Sequence, residues 1–329
     1  MSGHRRADHR IAGRLVRKAA AFALFGGGGA GLIGGIAALV LAAEAAIAKK
    51  VIGEADGEVP DASGTYGGHL PGEPLTFAVL GDSTAAGYGV ETPDETPGGL
   101  LAAGLSELSG RPVRLSVVAV VGAETHELGE QVDAVLPLRP DVALVIIGAN
   151  DVTHTTPPAQ SVRPLVAAIE RLREVDTEVV VGTCPDLGTI GPLPPPLRQI
   201  ARVWSRRLAS AQTVAAVRAG ARTVSLGPLL GPEFAAAPAE LFGPDRFHPS
   251  ATGYASAAAA LLPSLAAAVR AWPEDEIGDP LGEGEILPIS FAASQAAEYS
   301  GATVAPADHG LWARLQRRRV ATVDPDDDV

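Results

Sequence analysis

Short apolar runs alternate with longer helical segments over about 200 residues, and this alternation constrains the fold more than any other feature of the chain. Five runs of five to eight residues are largely apolar, which is typical of parallel strands buried on both faces. The predicted strands are Leu75–Leu80, Val113–Val120, Val142–Ile147, Glu178–Thr183 and Arg222–Leu226. The predicted helices cover residues 98–108, 124–136, 159–175, 197–218 and 250–271. Five strand–helix units predict one doubly wound α/β domain over residues 73–272, with a five-stranded parallel sheet.

The composition excludes several classes of protein. The chain has 329 residues, of which 47% are hydrophobic and 19% charged, so it is not a disordered chain. Its formal net charge of −12 argues against a general nucleic-acid binder. Cys184 is the single cysteine, which excludes an internal disulfide and a cysteine metal cluster. We therefore expect no nucleic-acid partner, no metal and no other cofactor.

The N-terminus has the pattern of a membrane anchor. Residues 1–18 carry six basic side chains and one acidic one, and Ala19–Ala43 then runs for 25 residues without a charge. A helix of that length reaches about 37 Å, which is enough to cross a hydrocarbon core of about 30 Å. Because basic flanks stay in the cytoplasm, residues 19–48 are expected to be a single transmembrane segment with the domain outside the cell.

Two other interpretations of this segment stay open. The small residues of Ala46–Ala48 resemble a signal-peptide cleavage site, in which case the protein is secreted. Alternatively, the segment is a buried glycine-rich helix of a soluble protein. Residues 49–72 are rich in Gly, Pro, Asp and Glu, and they are predicted to be a linker.

The C-terminal residues 273–329 break the strand–helix pattern. They carry 12 acidic and 4 basic residues and are expected to form an acidic extension. Residues 311–319 predict one short amphipathic helix within it. Trp312 either packs on the domain surface, or the basic turn at Arg317–Arg319 touches anionic lipid headgroups.

Residues of types that act in catalysis follow the predicted strands. In an open α/β sheet, ligands bind beyond the carboxyl ends of the strands, so residues scattered in sequence meet at one edge. The residues placed there are Ser83 after the first strand, Gly122 after the second, Asn150 after the third, and Asp245 with His248 before the last helix.

This set suits acyl transfer. Ser83 would be the nucleophile, His248 the base that takes its proton, and Asp245 the carboxylate that orients the imidazole. The backbone N–H groups of Ser83 and Gly122 and the side-chain amide of Asn150 would stabilise the oxyanion. Each piece alone has a plainer interpretation, such as a turn, a loop glycine or a helix cap. Their occurrence in order at successive strand ends favours the catalytic interpretation.

Three other residues are weaker candidates. His126 and His154 lie near the expected rim of the site, where they would bind water, substrate or nothing. Cys184 follows a strand, and a small buried residue is the better interpretation than a catalytic thiol.

The sequence resembles the SGNH, or GDSL, hydrolase family over residues 75–271. The matching blocks are GDSTAAG with Ser83, the glycine of VVGAET as Gly122, GAND with Asn150, and DRFH with Asp245 and His248. The second block departs from the family pattern, because an asparagine often precedes its glycine. The resemblance implies a flavodoxin-like three-layer fold with strand order 2-1-3-4-5, and a metal-free serine esterase or lipase. The chain as a whole resembles membrane-tethered GDSL-like esterases of high-GC bacteria.

Three functions are compatible with these residues. The first is an exported serine esterase that hydrolyses carboxylic esters, with short acyl chains favoured because no long apolar lid is evident. The second is a carbohydrate O-deacetylase acting on envelope glycans. The third is a catalytically idle binding module of the envelope, which the intact site residues oppose. The expected partners are an ester or an acylated glycan or lipid, together with the membrane, and the protein is expected to be a monomer.

Overall fold

A computed structural model describes residues 59–190, 193–227, 238–271, 285–299, 301–307 and 312–316. Within these residues the strands are β1 (Gly64–Tyr66), β2 (Leu75–Gly81), β3 (Val113–Val117), β4 (Val142–Ile146), β5 (Glu178–Gly182), β6 (Arg222–Val224), β7 (Glu285–Pro288), β8 (Thr303–Pro306) and β9 (Trp312–Gln316). The helices are α1 (Ser83–Ala86), α2 (Pro97–Ser109), α3 (Leu128–Val135), α4 (Ala149–Thr153), α5 (Pro158–Arg173), α6 (Leu197–Arg218), α7 (Pro238–Leu241), α8 (Ala251–Ala268) and α9 (Ile289–Ala296). Short 3-10 turns cover Pro93–Glu95, Thr125–Glu127, Leu136–Leu138 and Leu187–Thr189.

The strands form one mixed sheet in the order β1-β3-β2-β4-β5-β6-β8-β9-β7. Its central part, β3-β2-β4-β5-β6, is parallel throughout. These are the five predicted strands, and they stand in the order 2-1-3-4-5 that the family resemblance implies. Antiparallel strands extend this parallel core on both sides.

Alternate residues of the central strands bury their side chains in two separate cores. Phe77 and Val79 of β2 pack on one face against α2 and α8. Ala78 and Leu80 pack on the other face against α3 and α5. The period of two along β2 therefore directs successive side chains into one helical layer or the other. This explains why the strands read as continuously apolar runs, and it gives the three-layer arrangement.

The predicted domain boundaries are wrong at both ends. Gly64–Tyr66, inside the predicted linker, forms β1 and pairs antiparallel with β3, and Ala62 is buried in the core. At the other end, the predicted extension supplies β7, β8, β9 and α9, and β8 pairs with β6. The sheet is therefore larger than the predicted five strands, because short antiparallel strands cover both edges of its parallel core.

The amphipathic helix predicted for residues 311–319 is also wrong, because Trp312–Gln316 is strand β9. Ala313 and Leu315 are buried and Arg314 between them is half-buried, which is the period of a strand. The two apolar side chains pack with α9 in a small third core that also contains Val217 of α6. The predicted lipid contact at Arg317–Arg319 falls outside the described residues.

The predicted cytoplasmic segment 1–18 and membrane anchor 19–48 also lie outside the described residues. Among the residues that the structure covers, α8 is the one helix long and apolar enough to cross a membrane. Half of that helix is buried inside the domain, with Tyr254, Leu261 and Leu265 fully covered. Packing on the sheet accounts for its apolar character.

Candidate active site

Ser83 lies in a tight turn where β2 passes into α1. Gly81 has a φ of +140°, and a Cβ at this position would lie 1.9 Å from the carbonyl oxygen of Ile146 on β4. Only glycine fits between the two strands here. Asp82 then begins α1, and its side chain accepts a hydrogen bond of 2.9 Å from the Thr84 N–H. The turn therefore holds the Ser83 side chain at the carboxyl edge of the sheet.

Asp245 and His248 lie in a compact loop before α8. The His248 carbonyl oxygen accepts a hydrogen bond from the Gly243 N–H at 2.8 Å, which closes the loop. One oxygen of Asp245, Oδ1, accepts the backbone N–H groups of Phe247 and His248, each at 3.0 Å. Ser250 then begins α8 as its N-terminal cap. Backbone hydrogen bonds thus fix the Asp245 carboxylate independently of the imidazole.

The structure brings Ser83, His248 and Asp245 into one hydrogen-bonded chain. His248 Nδ1 lies 2.6 Å from Asp245 Oδ2, and His248 Nε2 lies 2.9 Å from Ser83 Oγ. A carboxylate only accepts hydrogen bonds, so Nδ1 carries the proton and donates it to Asp245. Nε2 is then left as an acceptor for the Ser83 hydroxyl. This is the arrangement in which the imidazole takes the hydroxyl proton.

The surroundings keep Asp245 charged and the imidazole in place. Asp245 is 2% exposed, and burial alone would raise the pKa of its carboxyl group. Hydrogen bonds from His248 and the Phe247 N–H outweigh burial, so the pKa of Asp245 is lowered. The rings of Tyr88 and Phe247 pack edge-on against His248, with centroids 4.7 and 4.9 Å away. They restrict rotation of the imidazole away from Ser83.

The two predicted oxyanion loops lie side by side. Val120 and Ala123 close a turn by a hydrogen bond of 3.1 Å, and Gly122 in its third position has a φ of +84°, which favours glycine. The side-chain amide of Asn150 donates one hydrogen bond to the Ala123 carbonyl oxygen at 2.9 Å. The Val120 N–H donates to the Gly81 carbonyl oxygen at 3.0 Å, which ties this turn to the Ser83 turn. All five predicted site residues therefore lie at one edge of the sheet, either in loops or in the first turn of a short helix.

Asp82, beside Ser83, is a buried carboxylate that the sequence analysis did not single out. Burial raises its pKa to about 6, while hydrogen bonds from the Thr84 and Gly148 N–H groups and the nearby His248 oppose this rise. At neutral pH the carboxylate is mostly ionised and connects the Ser83 turn to the loop that precedes Asn150. On acidification through pH 6 it takes up a proton and these hydrogen bonds weaken.

Two buried glutamines also escaped the sequence analysis. Gln131 of α3 accepts from the Gly81 N–H at 2.7 Å and donates to the Gly81 carbonyl oxygen at 2.9 Å. Gln212 of α6 accepts from the Cys184 N–H at 2.7 Å and donates to the Ile147 carbonyl oxygen at 2.8 Å. They satisfy backbone groups where neighbouring strands diverge. In the sequence, each glutamine is a polar side chain on the apolar face of a predicted helix, and this pattern could have indicated a buried polar contact.

The weaker candidates have other roles or none in this geometry. His154 Nδ1 lies 3.1 Å from a carboxylate oxygen of Glu124, in a half-exposed contact at the rim. His126 is exposed in a 3-10 turn. Cys184 is buried, and burial together with nearby carboxylates raises the pKa of its thiol well above the usual value. A protonated, covered thiol is not a nucleophile.

A family model and a similar protein indicate the same family, and solved structures of lower similarity were also found. The model of the GDSL-like lipase/acylhydrolase family matches residues 79–256, a range that contains all five site residues. The GDSL-like esterase Rv1075c of Mycobacterium tuberculosis is 42% identical over 251 residues, which cover 75% of each chain. The crystal structure of TesA is 19% identical with a TM-score of 0.48, covering 59% of this chain and 99% of TesA. A catalytic mutant of the acetylxylan esterase Axe2 from Geobacillus stearothermophilus is 16% identical with a TM-score of 0.46, covering 60% of this chain and 96% of Axe2.

Proposed function

This chain belongs to the GDSL-like lipase and acylhydrolase family and is an ester hydrolase, and we propose that Ser83, His248 and Asp245 are its catalytic triad. The observation that carries this proposal is the unbroken chain of contacts from Asp245 Oδ2 through the imidazole to Ser83 Oγ, at 2.6 and 2.9 Å. The proposed reaction is the hydrolysis of a carboxylic ester.

In the first half of the proposed reaction, His248 Nε2 takes the hydroxyl proton as Ser83 Oγ bonds to the ester carbonyl carbon. Asp245 stays ionised and stabilises the imidazolium that forms, which its lowered pKa favours. The negative oxygen of the tetrahedral intermediate receives hydrogen bonds from the Ser83 and Gly122 N–H groups and the Asn150 amide.

In the second half, the same groups release the product. Nε2 returns its proton to the leaving alkoxide as the carbon–oxygen bond breaks, which leaves an acyl group on Ser83. A water molecule then gives a proton to Nε2 and attacks the acyl carbon. Collapse of this second intermediate returns the proton to Ser83 and releases the carboxylic acid.

We propose short-acyl esters as the substrates, and one cavity supports a second candidate with longer hydrocarbon chains. A cavity of about 450 Å³ lies between the N-terminal turns of α5 and α6, and its walls are almost entirely apolar. Pro157, Ile200 and Trp204 line it. Trp204 and Phe247, the neighbour of His248, pack against the same apolar cluster. An alkyl chain directed from Ser83 toward this cavity would bury apolar surface.

The test is a panel of p-nitrophenyl esters of graded chain length, alongside acetylated glycans, using the full chain. We expect the highest kcat/KM with acetyl to butyryl esters. An optimum at longer chains that Ile200→Ser abolishes would establish the second candidate, and Ile286→Ser on the exposed edge strand β7 is the matched control. A preference for acetylated glycans over every simple ester would assign the protein as a deacetylase. Failure to hydrolyse any of them would contradict the proposed function.

We also propose that the protein is a monomer anchored in the cell membrane, with its N-terminus inside and its hydrolase domain outside. The basic residues 1–18 and the uncharged segment Ala19–Ala43 support this orientation. Alkaline phosphatase fused after residue 60 should be active, and a reporter that functions only in the cytoplasm should be silent at the same point. The reverse pattern would contradict the orientation. A mature N-terminus at Lys49 would show a secreted protein instead.

A further inference from the structure

Asp151, the residue after Asn150, is a buried carboxylate to which the proposed mechanism gives no role. It is 1% exposed, and its Oδ2 accepts two hydrogen bonds from one residue, Thr125. The Thr125 N–H donates at 3.0 Å and the Thr125 hydroxyl donates at 2.9 Å, and Thr125 is completely buried. A buried carboxylate is destabilising unless hydrogen bonds compensate for the lost water, so the two bonds from Thr125 are needed to keep Asp151 in this position.

The contact between Asp151 and Thr125 joins the two loops that carry the oxyanion donors. Asp151 follows Asn150 directly, and Thr125 lies three residues after Gly122. Nearer the surface, Glu124 pairs with His154 at 3.1 Å and accepts from the Thr156 hydroxyl at 3.1 Å. These outer contacts are half-exposed and are therefore weaker than the buried one. Asp151 supplies the rigid part of the connection.

We infer that Asp151 is a positioning residue that sets the Gly122 N–H and the Asn150 amide at their mutual distance in the oxyanion hole. This inference rests on the proposed function, in which both groups act as donors. One N–H of the Asn150 amide donates to the Ala123 carbonyl oxygen. The position of the 120–125 loop therefore sets the direction of the second N–H. Anything that lets this loop shift misdirects both donors together.

The first comparison removes and restores the acceptor. Asp151→Ala leaves two buried donors of Thr125 without a partner, and the loops should separate. We expect kcat for an ester to fall by about 10- to 100-fold with KM nearly unchanged. A displacement of about 1 Å in a catalytic group can lower the rate by up to about 100-fold. Asp151→Asn keeps a carbonyl oxygen that accepts from Thr125, and it should recover most of the lost rate.

A second pair of variants examines the contact from the other side. Thr125→Val removes the hydroxyl while preserving size and the backbone N–H, so kcat should fall by about tenfold. Thr125→Ser retains both donors and should stay within about threefold of the wild type. Asp141→Asn is the control for loss of a carboxylate, since Asp141 accepts the Thr76 N–H at 2.7 Å just before β4, at the opposite edge of the sheet.

The measurement that separates positioning from general damage compares an ester with its thiono analogue, in which sulfur replaces the carbonyl oxygen. Sulfur accepts hydrogen bonds weakly, so the thiono ester gains less from the oxyanion donors. Misplaced donors should therefore slow the oxygen ester far more than the thiono ester. The rate for the oxygen ester divided by the rate for the thiono ester should fall about tenfold or more in Asp151→Ala, as it should in Asn150→Ala. The fraction of folded enzyme cancels in this ratio.

The outcomes are distinct. A lower rate ratio in Asp151→Ala and Thr125→Val, with a normal ratio in Thr125→Ser and Asp141→Asn, supports the inference. Equal losses for both esters would overturn it, because Asp151 would then serve stability alone. An unchanged kcat in folded Asp151→Ala would also overturn it. If the wild type hydrolyses neither ester, the proposed function fails, and this inference fails with it.

Discussion

Replacement of Ser83 or of His248 by alanine should each lower kcat for ester hydrolysis by about 10⁵- to 10⁶-fold. The serine hydroxyl is a weak nucleophile until the imidazole at 2.9 Å removes its proton, so loss of either partner ends the covalent pathway. The double variant should be hardly slower than either single variant, because the two residues act as one unit. The small remaining rate would come from substrate binding and the oxyanion donors.

Rates with a p-nitrophenyl ester, with folding checked by circular dichroism, provide the measurement. Ser294→Ala and His69→Ala are matched controls, since both residues are exposed and lie outside the described site. The controls should retain wild-type rates, and a chelator should leave the wild-type rate unchanged. Strictly additive losses in the double variant would show that Ser83 and His248 do not act together.

The second large effect is expected for Asp245→Asn, which should lower kcat by about 10⁴-fold while the protein stays folded. The geometry explains why an amide is harmful here. Oδ1 of Asp245 is held by the N–H groups of Phe247 and His248, so the carbonyl oxygen of asparagine will take this place. The NH₂ group then faces His248 Nδ1 and forces the imidazole proton onto Nε2. That tautomer cannot accept the proton of Ser83.

The pH dependence gives a further check on the same variant. The lowered pKa of Asp245 means that its carboxylate is ionised across the neutral range, so its hydrogen bond to the imidazole does not change with pH there. The Asn variant should therefore be slow at every pH tested. Recovery of wild-type kcat at high pH would show that Asp245 is not the residue that orients His248.

The sequence predicted the parallel core of the fold well, for a physical reason. Strands β2, β4 and β5 are buried on both faces, so each leaves an apolar run that is visible without knowledge of its neighbours. The carboxyl ends of parallel strands meet at one edge of the sheet, so the sequence alone predicts that Ser83, Gly122 and Asn150 lie there. The spacing of Asp245 and His248 completed the expected set.

The edges of the sheet could not be predicted in the same way. Gly64–Tyr66 has only three residues, and its strand exists because it pairs with β3. Trp312–Gln316 reads equally as part of a helix or a strand, and its pairing with β7 and β8 decides between them. Contacts across the sequence, such as that between Asp151 and Thr125 or that between Gln131 and Gly81, leave no local pattern. They depend on loops brought together by the finished fold.

Labelling with a serine-directed phosphonate, followed by peptide mass spectrometry, tests the central claim most directly. In the wild-type chain we expect one phosphonyl adduct on Ser83 and loss of esterase activity in proportion to labelling. His248→Ala should fail to react on the same time scale, because the Ser83 hydroxyl then lacks the base that lies 2.9 Å away. An adduct on another residue that accounts for the lost activity, or full esterase activity in a chain labelled at Ser83, would contradict the assignment of Ser83 as the nucleophile.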